Sequence, residues 1–257
     1  MKSILGYSLF ALLAYVVFLL TTFPVDRAYA MLKGRLPPAV QLYELDGSVW
    51  HGEAGVAQLG GYRVEPLAWD YRPLGLLAGR VDIAVRFSKD QVRGSGVVGI
   101  SPGGDLHVAD ADVSLPVEEL ARAFRLPVIK LAGEVSTSVT TLQVSGQRLT
   151  EADGVLLWQQ AQVIRPQALR LGDLEAVFET RDGVIEGTLR DKGGPLQLEG
   201  LVTIQADGSY ELNASLASRD DTQPALSQTL RRLGRPGPDG KVSVNYSGTL
   251  PPVPAPF

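Results

Sequence analysis

The 257-residue chain carries 24 basic and 28 acidic side chains, a net charge of -4 that offers neither a nucleic-acid polyanion nor an acidic lipid surface a charge handle. It contains no cysteine, which removes a disulfide framework, a thiolate nucleophile and a cysteine zinc site, and suits an oxidising compartment. The roughly 230 residues beyond the N-terminus suffice for one large or two small domains.

From Ile4 to Phe23 the chain runs for twenty residues without a charge. As a helix this run, through Ile4, Leu12, Leu20 and Phe23, would reach roughly 30 Å, the thickness of a bilayer's hydrocarbon core. It predicts a transmembrane anchor over residues 1–25. A cleaved leader is the competing reading, because Ala28-Tyr29-Ala30 has the small-x-small pattern, but its apolar stretch would be shorter. Flanking charge puts Arg27, Lys33 and Arg35 after the span against Lys2 before it, a count that favours a cytoplasmic body.

Past Pro24 the dominant period is two. Val81, Ile83, Val85 and Phe87 share one face, with Asp82, Ala84 and Arg86 opposite. Leu196, Leu198, Gly200, Val202 and Ile204 repeat the pattern, as do Tyr210, Leu212, Ala214 and Leu216, and then Val242, Val244, Tyr246 and Leu250. Such alternation predicts strands with one apolar and one wet face. Asp46-Gly47, Gly60-Gly61, Gly103-Gly104, Asp153-Gly154, Asp182-Gly183, Gly193-Gly194, Asp207-Gly208 and Asp239-Gly240 read as hairpin turns between antiparallel neighbours. The expected fold is mainly β: a transmembrane helix, then an extended antiparallel meander.

Two short amphipathic helices interrupt it. Pro116 opens one, with Val117, Leu120 and Phe124 at helical spacing. The other starts near Asp221-Thr222 with Pro224 in its first turn, Leu226, Leu230 and Leu233 as its stripe, and Gly234 as its stop. Segments echo one another in order: Asp46 to Trp50 in Asp153 to Trp158, Leu74 to Leu77 in Leu171 to Leu174, and Gly103 to Val108 in Gly193 to Leu198, each about 90–110 residues apart. They divide the chain into a first β unit over 26–130 ending in a short helix, a second over 131–250 with its helix near 222–234, and a Pro-rich tail over 251–257.

Few residues invite chemistry. His51 and His107 stand far apart, each inside a predicted strand, where a structural role is expected. Asp105, Asp110 and Asp112 lack the glycine and terminal glutamate of a calcium loop. Gly94-Ser95-Gly96-Val97-Val98-Gly99 matches G-x-G-x-x-G, but a turn follows where a dinucleotide site needs a helix N-terminus. Glycines there instead predict a bulge or close backbone packing. Trp50, Trp69 and Trp158 read as core anchors. No catalytic, cofactor-binding or metal-ligating residue is nominated, and the chain reads as a non-enzyme.

Taken in order, these elements resemble the type II secretion system protein N family, over essentially the whole chain. The resemblance rests on Gly47-Ser48-Val49-Trp50-His51-Gly52, on Pro66 to Trp69 with Leu74 to Gly79, and on Gly193-Gly194-Pro195 with Leu196 to Gly200. Gly208, Tyr210, Arg219 and the Leu233-to-Pro236 stretch follow, and Trp158 falls between. The likeness implies an inner-membrane protein of Gram-negative bacteria with its bulk in the periplasm, against the flanking-charge count. It implies an accessory role in exporting folded proteins, with the inner-membrane platform, the secretin and inner-membrane lipid as partners and no nucleic acid. The alternative expectation is a lipid-binding β-groove of the AsmA-like or lipopolysaccharide-transport type, its acyl chains held on the apolar sheet face.

Overall fold

Among the described residues the period-two segments become fourteen strands of one antiparallel sheet, in the order of the sequence save that Tyr62–Val64 lies off the path. The computed structural model describes residue 15 and residues 22–34, 40–59, 62–123, 130–165, 167–219 and 223–252. The predicted span over 4–23 lies almost wholly outside the described residues, as do Gly60-Gly61, Phe124, Asp221-Thr222 and the end of the tail. Among the described residues no helix is long and apolar enough to cross a membrane.

The sheet opens with helix α1 (Val25–Leu32), followed by β1 (Val40–Gly47) and β2 (His51–Leu59). Strands β3 (Tyr62–Val64) and β4 (Leu67–Arg72) both pair with β2, one beyond the other. A 3-10 turn (Pro73–Ala78) leads to β5 (Val81–Lys89), β6 (Val92–Ile100) and β7 (Leu106–Pro116). Helix α2 (Val117–Ala123) precedes the long strands β8 (Lys130–Ser145), β9 (Arg148–Arg165) and β10 (Leu169–Arg181). Then come β11 (Val184–Asp191), β12 (Leu196–Ile204), β13 (Ser209–Ser218), helix α3 (Pro224–Leu233) and β14 (Val242–Thr249). The boundary drawn at residue 130 falls at the start of β8, which pairs with β7 on one side and β9 on the other.

Most glycine turns sit where expected. Asp182 and Gly183 link β10 to β11 with φ of 52° and 76°, the two positive values of a tight hairpin turn. Asp153-Gly154 is a correction: it lies inside β9, opposite Val139 on β8 and Phe178 on β10. Its aspartate is spent on the neighbouring strand, where Asp153 Oδ1 accepts the Thr180 N–H at 2.6 Å. Asp239-Gly240 turns the chain between α3 and β14, so it is not a hairpin. The structure adds Gly146-Gln147, with φ of 55° and 66°, between β8 and β9. Helix content is also corrected, since α1 and the 3-10 turn join the two expected helices.

A single layer must bury its apolar face without a second sheet. Ala111, Val135, Val144, Ala161, Ala176, Ile185, Leu196, Ile204 and Val242 are buried there, yet α3 covers only the β10–β14 end. Leu226 and Leu230 of α3 pack on Leu169, Leu196 and Val242, while Leu233, expected in the same stripe, is exposed. Helix α2 lies against β7 and β8 with Val117 buried, and aromatic rings cover further rows. Trp69 lies over Gly52, Phe87 over Gly94, Phe178 over Gly187 and Tyr210 over Gly248, each ring directly across a strand pair from its glycine. A Cβ at any of the four would fall inside the ring's contact distance, so the glycine is the floor that lets the ring lie down. Bulges between Ser95 and Val97, and around Gly172, add twist that folds neighbouring rows together.

Candidate functional site

The first motif builds the β1–β2 corner. Gly47 has φ of 87°, and a Cβ there would stand 2.5 Å from the His51 carbonyl. Ser48 closes the turn: its N–H donates to His51 O at 2.8 Å, and its hydroxyl accepts the N–H groups of His51 and Trp50 at 3.1 and 3.3 Å. Trp69 Nε1 donates to Val49 O at 3.0 Å, and Trp50 packs on Tyr71 with ring centroids 4.8 Å apart. These tryptophans, and Trp158 with Nε1 on Ala132 O at 3.2 Å, are half-buried pins on a sheet rather than centres of a core.

The second motif is a clamp between β11, β12 and β13. Asp191 accepts the Gly193 N–H at 2.9 Å, the Leu198 N–H at 3.0 Å and the Arg219 guanidinium at 2.6 Å. Arg219 also donates to Gly194 O at 2.9 Å, and its own N–H reaches Pro195 O at 2.8 Å. Gly194 is small because the Gly172 backbone on β10 presses against it. Gly200 faces Ala214 across β12–β13, and Gly208, with φ of 85°, shapes the next turn. Sequence reasoning missed Asp191 and Gly172, whose partners lie on other strands.

Asp82, placed on the wet face of β5, is the buried charged residue among those described. The 3-10 turn folds over it: a Cβ at Gly75 would meet its carboxylate at 2.6 Å, and Arg80 Nε donates to it at 2.9 Å. Val81, on the apolar side, is instead 46% exposed at the strand's end.

On that wet face a hollow of about 710 Å³ opens across β4 to β9. Cross-strand register lines up Ala68, Arg86, Ser95, Asp112, Ser138 and Val155 along it. Arg86, Arg93, Asp112 and serine hydroxyls rim it, over an exposed surface that is mostly apolar. The G-x-G-x-x-G segment forms β6 beside this hollow, with a bulge and no following helix, which ends the dinucleotide reading.

The two edges of the sheet differ. Along β1, Tyr29 of α1 accepts the Leu42 N–H at 3.1 Å, Glu44 takes a left-handed φ of 54°, and Pro24 bridges Ser48. Beyond β14 no described strand pairs. Leu250 N–H donates to Gly208 O, so by antiparallel alternation Gly248, Tyr246, Val244 and Val242 bond inward to β13. Ser243, Asn245, Ser247 and Thr249 therefore turn their backbone N–H and C=O groups outward.

The titratable groups hold strands together. His51 Nδ1 lies 2.9 Å from Asp70, whose other oxygen takes Arg86 at 3.0 Å, and the His51 hydrogen bond followed by the Arg86 charge lowers the Asp70 pKa. Hydroxyls of Ser145 and Ser101 lower Asp105, and the hydroxyl and N–H of Ser209 lower Asp207. Burial pushes Asp191 up, but the N–H groups of Leu198 and Gly193 and the Arg219 guanidinium outweigh it and leave the carboxyl lowered. Stability from such groups is fully present above the ordinary aspartate value of about 3.9 and is lost as pH falls through the lower folded values. Thermal melts followed by circular dichroism are expected to hold their midpoint down to about pH 4 and to drop below it. A midpoint that rises on acidification would contradict these pairings. Among the described residues no three acidic or histidine side chains converge as a metal site, Asp105, Asp110 and Asp112 included.

Residues 38–245 match the family described as type II secretion system (T2SS), protein N. The chain belongs to the type II secretion system protein N family. A type II secretion system protein N of Vibrio cholerae serotype O1 is 28% identical over 255 residues, covering 97% of this chain and all of the relative. Namesakes from Aeromonas hydrophila and Pectobacterium carotovorum are 27% and 23% identical, each over 93% of this chain and 96% and 94% of their own. No solved structure matches. The Gly47-to-Gly52 and Gly193-to-Gly200 segments of the resemblance map onto the β1–β2 corner and the Asp191–Arg219 clamp.

Proposed function

We propose that this protein is a non-enzymatic accessory subunit of a type II secretion system. Residues 4–23 anchor it in the inner membrane and its sheet stands in the periplasm, where it supports export of folded proteins across the outer membrane. The observation that carries this reading is the unlike pair of edges. One is blunted by α1 and a left-handed Glu44, while β14 offers a row of backbone groups unpaired among the described residues, the arrangement that recruits an extended segment from a partner. The partner is a strand of another secretion component, from the inner-membrane platform or the secretin. Helix α1 supports an uncleaved anchor, because Ala28-Tyr29-Ala30 lies inside it and Tyr29 holds β1. We also read 26–130 and 131–250 as related β units, since Gly103-Gly104 and Gly193-Gly194 each turn the chain into a new strand and each unit carries a short helix.

A photo-crosslinking side chain at Asn245, in cells exporting a type II substrate, tests the edge. Capture of a secretion-system subunit identified by mass spectrometry is expected, together with activity of alkaline phosphatase fused after Phe257. Inactive phosphatase would put the body on the cytoplasmic side, and an Asn245 probe that crosslinks no secretion subunit would remove the docking role.

A further inference from the structure

The 3-10 turn between β4 and β5 presents Leu74, Leu76 and Leu77 at 77%, 58% and 88% exposure. Three leucines this bare on a six-residue turn are unusual on a soluble surface and ask for a cover. They are also held out deliberately. Gly75 between them packs on buried Asp82, Arg80 locks that carboxylate, and the Arg80 N–H returns to Gly75 O at 3.1 Å. The clamp turns the glycine inward and leaves the leucines outside.

Their place in the fold says what covers them. Strands β1, β4, β6, β8, β10 and β12 all run toward one end of the sheet, and this turn stands at that end. The chain enters the sheet at the same corner: Phe23 O accepts the Val49 N–H at 3.1 Å, and Tyr71 N–H donates to Trp50 O at 2.7 Å just before the turn. Residues 4–23, uncharged throughout, immediately precede that entry. The other turns at this end read Ser101-Pro102-Gly103-Gly104-Asp105, Gly146-Gln147, Asp182-Gly183 and Gln205-Ala206-Asp207-Gly208, all polar or small. Among the described turns that join strands at this end, the bare leucines stand in the corner next to the predicted span, while Leu250 after β14 is 36% exposed. That corner carries the further marks of an interface: the Trp50–Tyr71 aromatic pair behind the leucines, and Arg72 and Arg80 on either side of them.

We infer that the Leu74–Leu76–Leu77 turn is a second membrane contact, dipping into the outer leaflet of the bilayer that residues 4–23 span and so fixing the sheet with its strand ends against the membrane. The occupant is a phospholipid surface: the leucines enter about 5–10 Å, to the boundary between headgroups and acyl chains, and the exposed Arg72 meets a phosphate. Two points of attachment, one spanning and one interfacial, stop the sheet from swivelling on its tether. The inference rests on reading 4–23 as a span.

The chain lacks cysteine, so single labels are available throughout. The full chain carrying Leu77→Cys, or Gln91→Cys in the β5–β6 turn at the opposite end, is labelled with a polarity-sensitive fluorophore. Each is reconstituted into phosphatidylethanolamine–phosphatidylglycerol vesicles, some carrying a shallow spin-labelled lipid. The expected result is co-flotation of both proteins, with blue-shifted emission and lipid quenching at position 77 and neither at 91. Flotation with a water-like signal at 77 overturns the contact and leaves the anchor standing. A blue-shifted but unquenched label at 77 overturns it too, since protein and not lipid would then cover the turn. Failure to float overturns the anchor and the contact together.

Discussion

Replacing Asp191 with alanine is expected to lower the unfolding free energy by roughly 2–4 kcal/mol. On a chain of this size that corresponds to a fall in Tm of about 5–12 °C. The carboxylate is only 8% exposed and serves three donors on three segments: the Gly193 N–H in the β11–β12 turn, the Leu198 N–H in β12 and the Arg219 guanidinium after β13. Alanine strands the two N–H groups and leaves the guanidinium to find water. Asp191→Asn keeps an oxygen for the N–H donors and loses only the charge, so its cost should be smaller. Arg219→Ala should also cost less, because that guanidinium is 42% exposed and its loss leaves Asp191 two backbone donors. Calorimetry on the three variants separates these cases; a loss below about 1 kcal/mol for Asp191→Ala would mean the clamp holds nothing.

Proline at Ser247 is expected to disable docking and spare the fold. Ser247 turns its N–H away from β13, so proline removes a donor that the sheet does not use and puts its ring where an added strand would lie. Affinity for the partner segment should fall roughly tenfold or more, the worth of about one hydrogen bond plus a steric block. Export of type II substrates should fall with it, while the melting temperature stays near that of the parent. Tyr246→Pro is the internal control: it removes an inward bond and should destabilise by about 3 kcal/mol. If Ser247→Pro exports normally, β14 is not the docking edge.

Both variants show where the sequence was readable. The alternation along β5, β12, β13 and β14 named its own strands, and Pro224 placed α3 within its first turn. Such signals are local, fixed by side-chain period and by the φ that glycine or proline allows. Failures arose where a residue's meaning came from across the sheet. Asp153-Gly154 has turn chemistry, but Thr180 on β10 takes the aspartate, and the backbone of β8 crowds the glycine. Asp82 looked wet until the 3-10 turn closed over it. The α1 helix sits between the apolar run and the first strand, where no helix was expected, and its hold on β1 through Tyr29 has no sequence signature. At the candidate site, the Gly-Ser-Val-Trp-His-Gly and Gly-Gly-Pro segments were visible as patterns. Their purpose, a turn locked by Ser48 and a clamp centred on Asp191, emerged only with the partners in place.

The strict neighbour order of the strands has a consequence for biogenesis. Every strand after β1 finds its mate already synthesised, so the sheet can grow by zippering as the polypeptide emerges, each new hairpin using the preceding one as template. The growing end always bears a fresh, unsatisfied ribbon border until the next hairpin caps it. Among the described residues no later strand caps β14, so its border keeps the vacancy that each earlier strand yielded to its successor, a growth step open to a guest.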